Sequence, residues 1–160
     1  VPDAILTRMA KNGGVVMVTF VPLFVNRTMK AWYEGLEAAT KGLKGAEAKQ
    51  AEAAYRQAHP EPRATLQDVA DHIDHIAKVA GHAHVGLAAD FAGGPNPQGL
   101  EDVSTYPALF AELIRRGWRD GDLEALAGGN LIRTFQAVER TSAQLRKQRP
   151  PSLARVEKAP

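Results

Sequence analysis

No cysteine occurs among the 160 residues of the sequence. Disulfide bonds, thiolate nucleophiles and cysteine-ligated zinc are therefore excluded for this chain. A run of about eighteen apolar residues is also missing, so we expect no membrane-spanning helix. The compartment stays undetermined, because a cysteine-free chain is compatible with both oxidising and reducing surroundings.

The sequence also has no initiating methionine and no basic-then-apolar signal segment, since it begins with Val1, Pro2 and Asp3. Its composition, 44% hydrophobic and 24% charged, is ordinary for one globular domain or for part of a larger one. We therefore expect a piece of a longer protein. The sequence does not indicate whether that protein is cytoplasmic or periplasmic.

An excess of positive charge is found only at the C-terminal end. Residues 1–145 carry a net charge of −2, because the whole chain carries +2 and the residues from 146 onward contribute +4. A short basic segment that contains prolines is typical of a tail, which we assign to residues 148–160. No aromatic-studded basic face is present, so we expect no nucleic-acid partner. The charged residues of this end are Arg146, Lys147, Arg149, Arg155, Glu157 and Lys158.

Two short, continuous apolar runs, residues 15–20 and 85–89, predict strands. Such runs are typical of strands buried on both faces in a parallel sheet. A strand, a long helical crossover and a second strand predict an α/β fold with parallel strands. Two strands do not form a stable sheet by themselves, which again indicates part of a larger fold.

The crossover begins with residues 28–59, which are rich in Ala, Glu, Lys and Gln. Gly35, Gly42 and Gly45 interrupt this helical composition, and each costs a helix about 1 kcal/mol relative to alanine. We therefore expect two helices or one bent helix, anchored in its first half by Trp32 and largely exposed in its second half.

The crossover ends with a helix over residues 66–80, for which Thr65 is the predicted N-cap. Its apolar residues lie on one helical face and should be buried. They are Leu66, Val69, Ala70, Ile73, Ile76, Ala77 and Ala80. Further helices are predicted at residues 2–11, where Pro2 and Asp3 open the pattern and residues 12–14 stop it, and at residues 107–116, 120–127 and 130–147.

Asp90 is the first candidate for a functional residue. It follows the second predicted strand directly and precedes a loop rich in Gly, Pro and Asn, residues 93–99. In α/β barrels the loops after the strands converge at one mouth, where ligands and catalytic groups collect. An Asp at a strand end is alternatively a turn former or a helix cap. Position alone leaves both interpretations open.

A second candidate is the segment of residues 71–75, which contains two Asp and two His. The apolar stripe of this helix centres on Ile73, and helical geometry places His72 and His75 about 100° and 160° from that centre. No third ligand converges on them in the sequence pattern, so a solvated helix face is favoured over a metal site. The other two histidines near a strand, His82 and His84, are interpreted as structural.

Four segments in a fixed order resemble the membrane (renal) dipeptidase family of zinc peptidases. They read VADHIDHI from residue 69, VGLAADFAG from residue 85, GLEDVSTYP from residue 99 and GGNLIR from residue 128. Residues 1–3 and 15–20 resemble the helix and strand that precede these segments in the family. The resemblance covers most of the chain apart from residues 28–62 and the tail, and it depends on the combination of segments.

The resemblance implies the C-terminal part of a (β/α)8 TIM barrel, residues 1–147, with residues 28–62 as a helical insertion. Enzymes of the family bind two zinc ions and hydrolyse dipeptides with a metal-bound hydroxide. Asp90 matches the strand-ending Asp that lies at the substrate in the family and helps to transfer protons. The implied partners are a dipeptide substrate, the N-terminal half of the same enzyme, and further copies in a homo-oligomer such as a dimer.

One departure from the family pattern is Ala92, which stands where the family has a second Asp in its Gly-Xaa-Asp-Phe-Asp-Gly segment. The family's zinc ligands lie on earlier strands, so the resemblance assigns no metal ligand to this chain. We therefore expect the C-terminal portion of a bacterial-type zinc dipeptidase that is inactive by itself. Two alternatives stay open: a metal-dependent amidohydrolase for another amide or a lactone, and a non-catalytic barrel fragment that serves in assembly.

Overall fold

Two parallel strands, β1 (Val16–Thr19) and β2 (Val85–Ala89), form a sheet in the computed structural model, which describes residues 1–92 and 94–152. The predicted α/β class with two parallel strands is confirmed. The helices are α1 (Asp3–Asn12), α2 (Pro22–Val25), α3 (Arg27–Thr40), α4 (Gly45–Ala58), α5 (Leu66–Ala80), α6 (Tyr106–Arg115), α7 (Asp120–Glu124) and α8 (Asn130–Gln148). Short 3₁₀ or π turns occur at His82–His84, Val103–Thr105 and Ala125–Gly129.

The two strands pair in register as far as Val18 and Leu87, after which β2 contains one extra residue, Ala88. This β-bulge bends the end of β2 and leaves Ala88 exposed. The amide of Phe20 donates a 2.7 Å hydrogen bond to the carbonyl of Ala89, so the pairing continues beyond the bulge. The carboxyl ends of both strands are thereby held side by side.

The expectation that both strands are buried on both faces is only partly correct. Val18, Val85 and Ala89 are buried, whereas Met17 and Thr19 are half-buried. Helix α5 packs against both strands, but β1 has only β2 as a strand neighbour within the described residues. The other side of β1 therefore borders a cavity instead of a packed neighbour.

Helix α5 is the centre of the hydrophobic core. Thr65 and Asp68 form a capping box, in which the Asp68 carboxylate accepts the Thr65 amide at 2.7 Å and the Thr65 hydroxyl oxygen accepts the Asp68 amide. All seven residues of the predicted apolar stripe are buried, and Ile73 at its middle is 0% exposed. The predicted cap and the predicted buried face of this helix are confirmed.

Helices α3 and α4 pack against each other, which confirms the prediction of two helices between residues 28 and 59. The glycines have specific places in this pair. Gly42 and Gly45, with φ angles of 79° and 58°, form the turn between the two helices. A β-carbon at Gly35 would overlap the hydroxyl of Tyr55, so glycine allows α4 to approach α3 closely.

The α3–α4 pair is held together around Trp32. The Trp32 indole N–H donates to the carbonyl of His59 at 2.7 Å, and the Tyr55 hydroxyl donates to the carbonyl of Trp32 at 3.1 Å. The Arg56 guanidinium lies 5.0 Å from the centre of the Trp32 ring and donates to the carboxylate of Glu61 at 2.5 Å. Helix α4 has no buried residue of its own, as predicted for the exposed second half.

The chain after β2 differs from the prediction in one helix. The helix predicted for residues 120–127 is shorter, and a π-helical turn, Ala125–Gly129, leads directly into α8. This turn brings Asn130 into the core, where its side-chain amide donates to the carbonyls of His82 at 2.7 Å and Val85 at 2.9 Å. The spacing of apolar residues cannot predict this turn, because the residue that it buries, Asn130, is polar. The predicted end of the helix at residue 127 is therefore wrong.

The polar residues on the outer side of α5 bind the end of α6. Arg116 donates to Asp71 at 2.6 Å and Asp74 at 2.7 Å on α5, and to Glu112 on α6 at 2.6 Å. The indole N–H of Trp118 donates to the other oxygen of Asp74 at 2.7 Å. Glu112 is only 7% exposed, so Arg116 compensates a carboxylate that is largely removed from water.

Helix α8 runs to Gln148, so Arg146 and Lys147 of the predicted basic end are helical. Gly93 of the predicted loop and residues 153–160 lie outside the described residues. In the described ranges, no helix combines the length and the apolar composition that crossing a membrane demands. Arg149 is the C-cap residue of α8, and the other three charges assigned to the tail fall outside the described part: Arg155, Glu157 and Lys158.

Ile73→Asp should severely destabilise the fold, because it places an unpaired carboxylate at the centre of the buried stripe. We expect the free energy of unfolding, measured by urea denaturation, to fall by more than the roughly 2–5 kcal/mol that Ile→Ala costs at a buried site. His75→Ala on the same helix is the control. Its ring nitrogen lies 2.7 Å from the Asp3 carboxylate, but the two side chains are 50% and 62% exposed. That variant should lose no more than about 0.5 kcal/mol, and equal losses would contradict the assigned helix faces.

Arg116→Lys should lower the free energy of unfolding by about 1–3 kcal/mol, because an ammonium group cannot reproduce the three guanidinium contacts. Arg119→Lys is the matched control, since the Arg119 side chain is 86% exposed and lies 3.4 Å from Asp122. Urea denaturation of both variants measures the difference. A loss in Arg119→Lys as large as that in Arg116→Lys would show that the network around Arg116 adds no specific stability.

Candidate functional site

Asp90 is the first residue after β2 and lies at the carboxyl end of the parallel sheet. It is exposed, and its carboxylate accepts no hydrogen bond from the described residues. Most other acidic side chains near the core have a structural partner, as Asp68 has in the cap of α5 and Asp74 in the contact with α6. The Asp90 carboxylate is thus available to a ligand.

The backbone at the end of β2 has an unusual conformation. Ala89 and Asp90 have φ angles of 40° and 67°, in the left-handed region that residues other than glycine rarely adopt. The amide of Asp90 donates to the carbonyl of Ala88 at 2.5 Å, which closes a tight turn. Asp tolerates this conformation better than most residues, so a turn-forming role is compatible with Asp90 but leaves the strain at Ala89 unexplained. Strain of this kind is concentrated at functional sites, which supports the functional hypothesis.

Three aromatic rings support the end of the sheet beneath Asp90. Phe20, Phe91 and Tyr106 form a triangle in which each pair of ring centres is 5.7 or 5.8 Å apart. Phe20 is 0% exposed, and burial raises the pKa of the Tyr106 hydroxyl. Because Phe91 follows Asp90 directly, the packing of its ring fixes the turn that carries the carboxylate.

A small cavity of about 170 Å³ opens beside Asp90. Its walls come from the start of α2, from one side of α3 and from the turn after β2. Asp90 is the one charged residue among the described residues that line it, and most of the others are apolar. Tyr33 also lines it, and the Tyr33 hydroxyl donates to Glu61 at 2.7 Å. The residues that line it with Asp90 are Val21, Pro22, Leu23, Met29, Tyr33, Gly94 and Pro95.

The two histidines of residues 71–75 lie away from this cavity. His75 is bound to Asp3, and His72 is half-buried. Burial lowers the pKa of His72, and the positive charges of the N-terminus and of His75 lower it further. Within the described ranges, no three His, Asp or Glu side chains stand together as metal ligands would. The described residues therefore do not fit the metal site of a zinc peptidase by themselves.

At the amino ends of the two strands, the histidines make contacts within the fold. The Nδ1 atom of His84 lies 2.7 Å from the carbonyl oxygen of Gly14, and the ring of His82 packs edge-on against Trp118 at 4.5 Å between centres. These contacts agree with the structural interpretation of both histidines. The polar side chain without a partner among the described residues, Asp90, thus lies at the carboxyl ends of the strands. At their amino ends the polar side chains described here are bound to other parts of the chain.

The sequence analysis did not predict a hydrogen bond that positions the wall of this cavity. The side-chain amide of Asn26 donates to the Asp68 carboxylate at 2.9 Å, and the Asn26 side-chain oxygen accepts the amide of Met29 at 2.9 Å. A carboxylate on α5 thereby fixes the start of α3. Asn before a helical segment is a common N-cap, so Asn26 has a recognisable signal. Its contact with Asp68 is a tertiary one, for which the sequence carries no local signal.

The sequence matches a known family over nearly its whole length. Residues 1–149 match the sequence model of the family described as membrane dipeptidase, peptidase family M19. Dipeptidase 3 of Rattus norvegicus is 36% identical over 151 residues, and Dipeptidase 3 of Homo sapiens is 35% identical over 151 residues. Each alignment covers 94% of this chain but 24% of the relative, so the chain spans about a quarter of the length of these curated relatives.

Two solved structures share the fold. A probable dipeptidase from Pseudomonas aeruginosa is 29% identical, with a TM-score of 0.62 over 83% of this chain and 39% of that chain. A metallopeptidase from Rhodobacter sphaeroides, liganded with a phosphinate mimic of the dipeptide L-Ala-D-Ala, is 25% identical, with a TM-score of 0.53 over 82% of this chain and 29% of that chain. The family match over residues 1–149, together with this shared fold, shows that the chain belongs to the membrane dipeptidase family.

Proposed function

We propose that this chain is the C-terminal portion of a zinc-dependent dipeptidase with a (β/α)8 barrel, and that it supplies the Asp90 side of the active site. Membership of a dipeptidase family supports the reaction class. One observation carries the assignment to this edge: Asp90 is an exposed carboxylate, without a partner among the described residues, at the carboxyl end of a parallel strand. Active sites of α/β barrels lie at this end of the strands. A relative that binds a dipeptide mimic supports a dipeptide as the substrate.

In the proposed reaction the Asp90 carboxylate acts first as a general base and then as a general acid. It accepts a proton from the water that adds to the peptide carbonyl carbon. It then gives this proton to the peptide nitrogen as the C–N bond breaks. Two free amino acids leave, and the carboxylate returns to its ionised form. Before the reaction, the same carboxylate can accept a hydrogen bond from the ammonium group of the dipeptide.

The zinc ions implied by the family would polarise the attacking water and the peptide carbonyl. Their ligands are not assembled by the described residues. In our proposal the ligands therefore come from barrel strands outside this chain, and Asp90 reaches the same site from the neighbouring strand.

The proposed partner of the chain is the rest of that barrel. Within the described residues β1 pairs with β2 alone, and a cavity of about 870 Å³ is lined by the whole of β1. A strand in a closed barrel has a neighbour on each side, so a preceding strand would pair along this cavity. Apolar side chains on α8, Phe135 and Val138, are 62% and 61% exposed and offer further contact surface. The homo-oligomer stays a prediction.

We expect the 160-residue chain, purified by itself, to contain no stoichiometric zinc and to hydrolyse no dipeptide. The reason is that the described residues provide no group of three metal ligands. Elemental analysis and chromatographic detection of released amino acids measure the two properties. A form of the enzyme that includes the remaining barrel strands is the positive control and should show both. Tightly bound zinc together with dipeptide turnover in the 160-residue chain would disprove the proposed division of the site.

Asp90→Asn in the complete enzyme should lower kcat by about a hundredfold to ten-thousandfold, because an amide cannot accept and return the proton. Asn tolerates the left-handed backbone at this position, so the turn and the fold should persist. Zinc content and thermal unfolding should stay at wild-type values. The measurement is kcat on a simple dipeptide with enzyme of verified zinc content.

Asp102→Asn is the internal control for Asp90→Asn. Asp102 accepts the hydroxyl of Ser104 at 2.6 Å and its amide at 2.8 Å, and these bonds lower the pKa of Asp102. An Asn side chain can cap the same turn, so kcat should change little. A near-normal kcat in zinc-loaded Asp90→Asn would instead favour the turn-forming interpretation of Asp90.

A further inference from the structure

We propose that the cavity beside Asp90 binds a primary ammonium group that carries a small apolar side chain, and that Tyr33 sets the size limit for this side chain. The inference rests on the proposed function, in which the ligand is the N-terminal residue of the dipeptide. It concerns α3, a part of the chain outside the segments that carry the resemblance to the family.

The chemistry of the walls indicates the class of ligand. Asp90 provides a carboxylate, and apolar side chains from α2 and α3, such as Leu23 and Met29, provide the surface next to it. A carboxylate forms its strongest hydrogen bonds with charged N–H donors. A ligand that satisfies both features has an ammonium group and, within a few bonds, an apolar substituent. The N-terminal residue of an apolar dipeptide has this form.

The volume of the cavity indicates the size of the substituent. A dry cavity of about 150 Å³ holds one benzene molecule. The cavity beside Asp90, at about 170 Å³, therefore accommodates a side chain up to about that size. From this comparison we expect leucine and smaller side chains to be preferred over an indole ring.

Tyr33 separates this cavity from the larger one along β1. Of all the residues that line the two cavities, Leu23 and Tyr33 are shared by both. The Tyr33 hydroxyl is bound to Glu61 at 2.7 Å, and this hydrogen bond, more than burial, raises the pKa of Tyr33. The ring thus forms a neutral partition between the cavities. Its removal would open the small cavity toward the larger one.

The helix that carries Tyr33 is fixed at two points. Asn26 caps α3 and is bound to Asp68 of α5, and the neighbouring Trp32 is bound to the carbonyl of His59. Met29, on the same side of α3, is only 5% exposed. The core and the α3–α4 contact therefore hold the Tyr33 ring in a fixed position. A wall that selects side chains by size needs such a fixed position.

The first test measures kcat/KM of the complete, active enzyme for dipeptides of the form Xaa-Ala. The wild type should discriminate against Trp-Ala relative to Leu-Ala by at least about tenfold in kcat/KM, as expected for a pocket that is too small. Tyr33→Ala should raise the ratio of Trp-Ala to Leu-Ala by about tenfold or more. An unchanged ratio in an active Tyr33→Ala enzyme overturns the inference and leaves the dipeptidase assignment intact.

Two control variants distinguish the effect of the Tyr33 ring from that of its hydroxyl group and from a general loosening of α3. Tyr33→Phe keeps the ring without the hydroxyl and should keep the wild-type size limit. Leu36→Ala removes a half-buried apolar side chain from the same helix, but Leu36 lines the larger cavity and not the small one. It should also keep the limit. A relaxed limit in Leu36→Ala would attribute the effect to a loosened α3 and overturn the role of Tyr33.

The second test needs no hydrolysis. Isobutylammonium added to the 160-residue chain at millimolar concentration should shift the NMR signals of the Asp90 and Phe91 amides. Tryptammonium should shift them in Tyr33→Ala but not in the wild type. This size selection without any dipeptide hydrolysis by the complete enzyme would support the binding site and refute the proposed function. An absence of shifts with isobutylammonium overturns the binding site.

Discussion

The carboxylate of Asp68 joins the two parts of the molecule on which the candidate site depends. One of its oxygens caps α5 through the amide of Thr65, and the other accepts the side-chain amide of Asn26, the N-cap of α3. Helix α5 carries the core and packs on both strands, whereas α3 carries a wall of the cavity beside Asp90. A negative charge is favourable near both helix starts, because each presents unpaired amides. The Asp68 side chain therefore links the helix that packs on the sheet to the helix that forms part of the cavity wall.

The features predicted from the sequence are those with a local cause. The spacing of apolar residues over 66–80 is sufficient to identify the buried face of α5, and Thr65 marks its start. The continuous apolar run before Asp90 identified β2 with its observed ends. The location of Asp90 at a sheet edge followed directly from these two elements, so the candidate residue itself required no tertiary information.

The remaining features depend on contacts between distant parts of the chain. The cavity beside Asp90 includes Tyr33, which only folding brings near β2. Gly35 looked like a destabilising residue within a helix, but its missing side chain makes room for the hydroxyl of Tyr55. Arg116 had no distinguishing neighbour in the sequence, yet it binds carboxylates on two helices. The burial of β1 was overestimated, because an apolar run does not reveal whether a second strand lies beside it.

The contacts around Trp32 give the α3–α4 pair its own internal cohesion. They include the bond from Tyr55, the bond to His59 and the guanidinium of Arg56, and none of them involves a residue of the sheet. The pair is connected in sequence between β1 and α5, and Asn26 provides its bond to the core. Mutations can accumulate in this pair without disturbing the packing beneath α5. Under the proposed function, selectivity can therefore diverge through changes in this segment, while Asp90, on the sheet, stays under separate constraint.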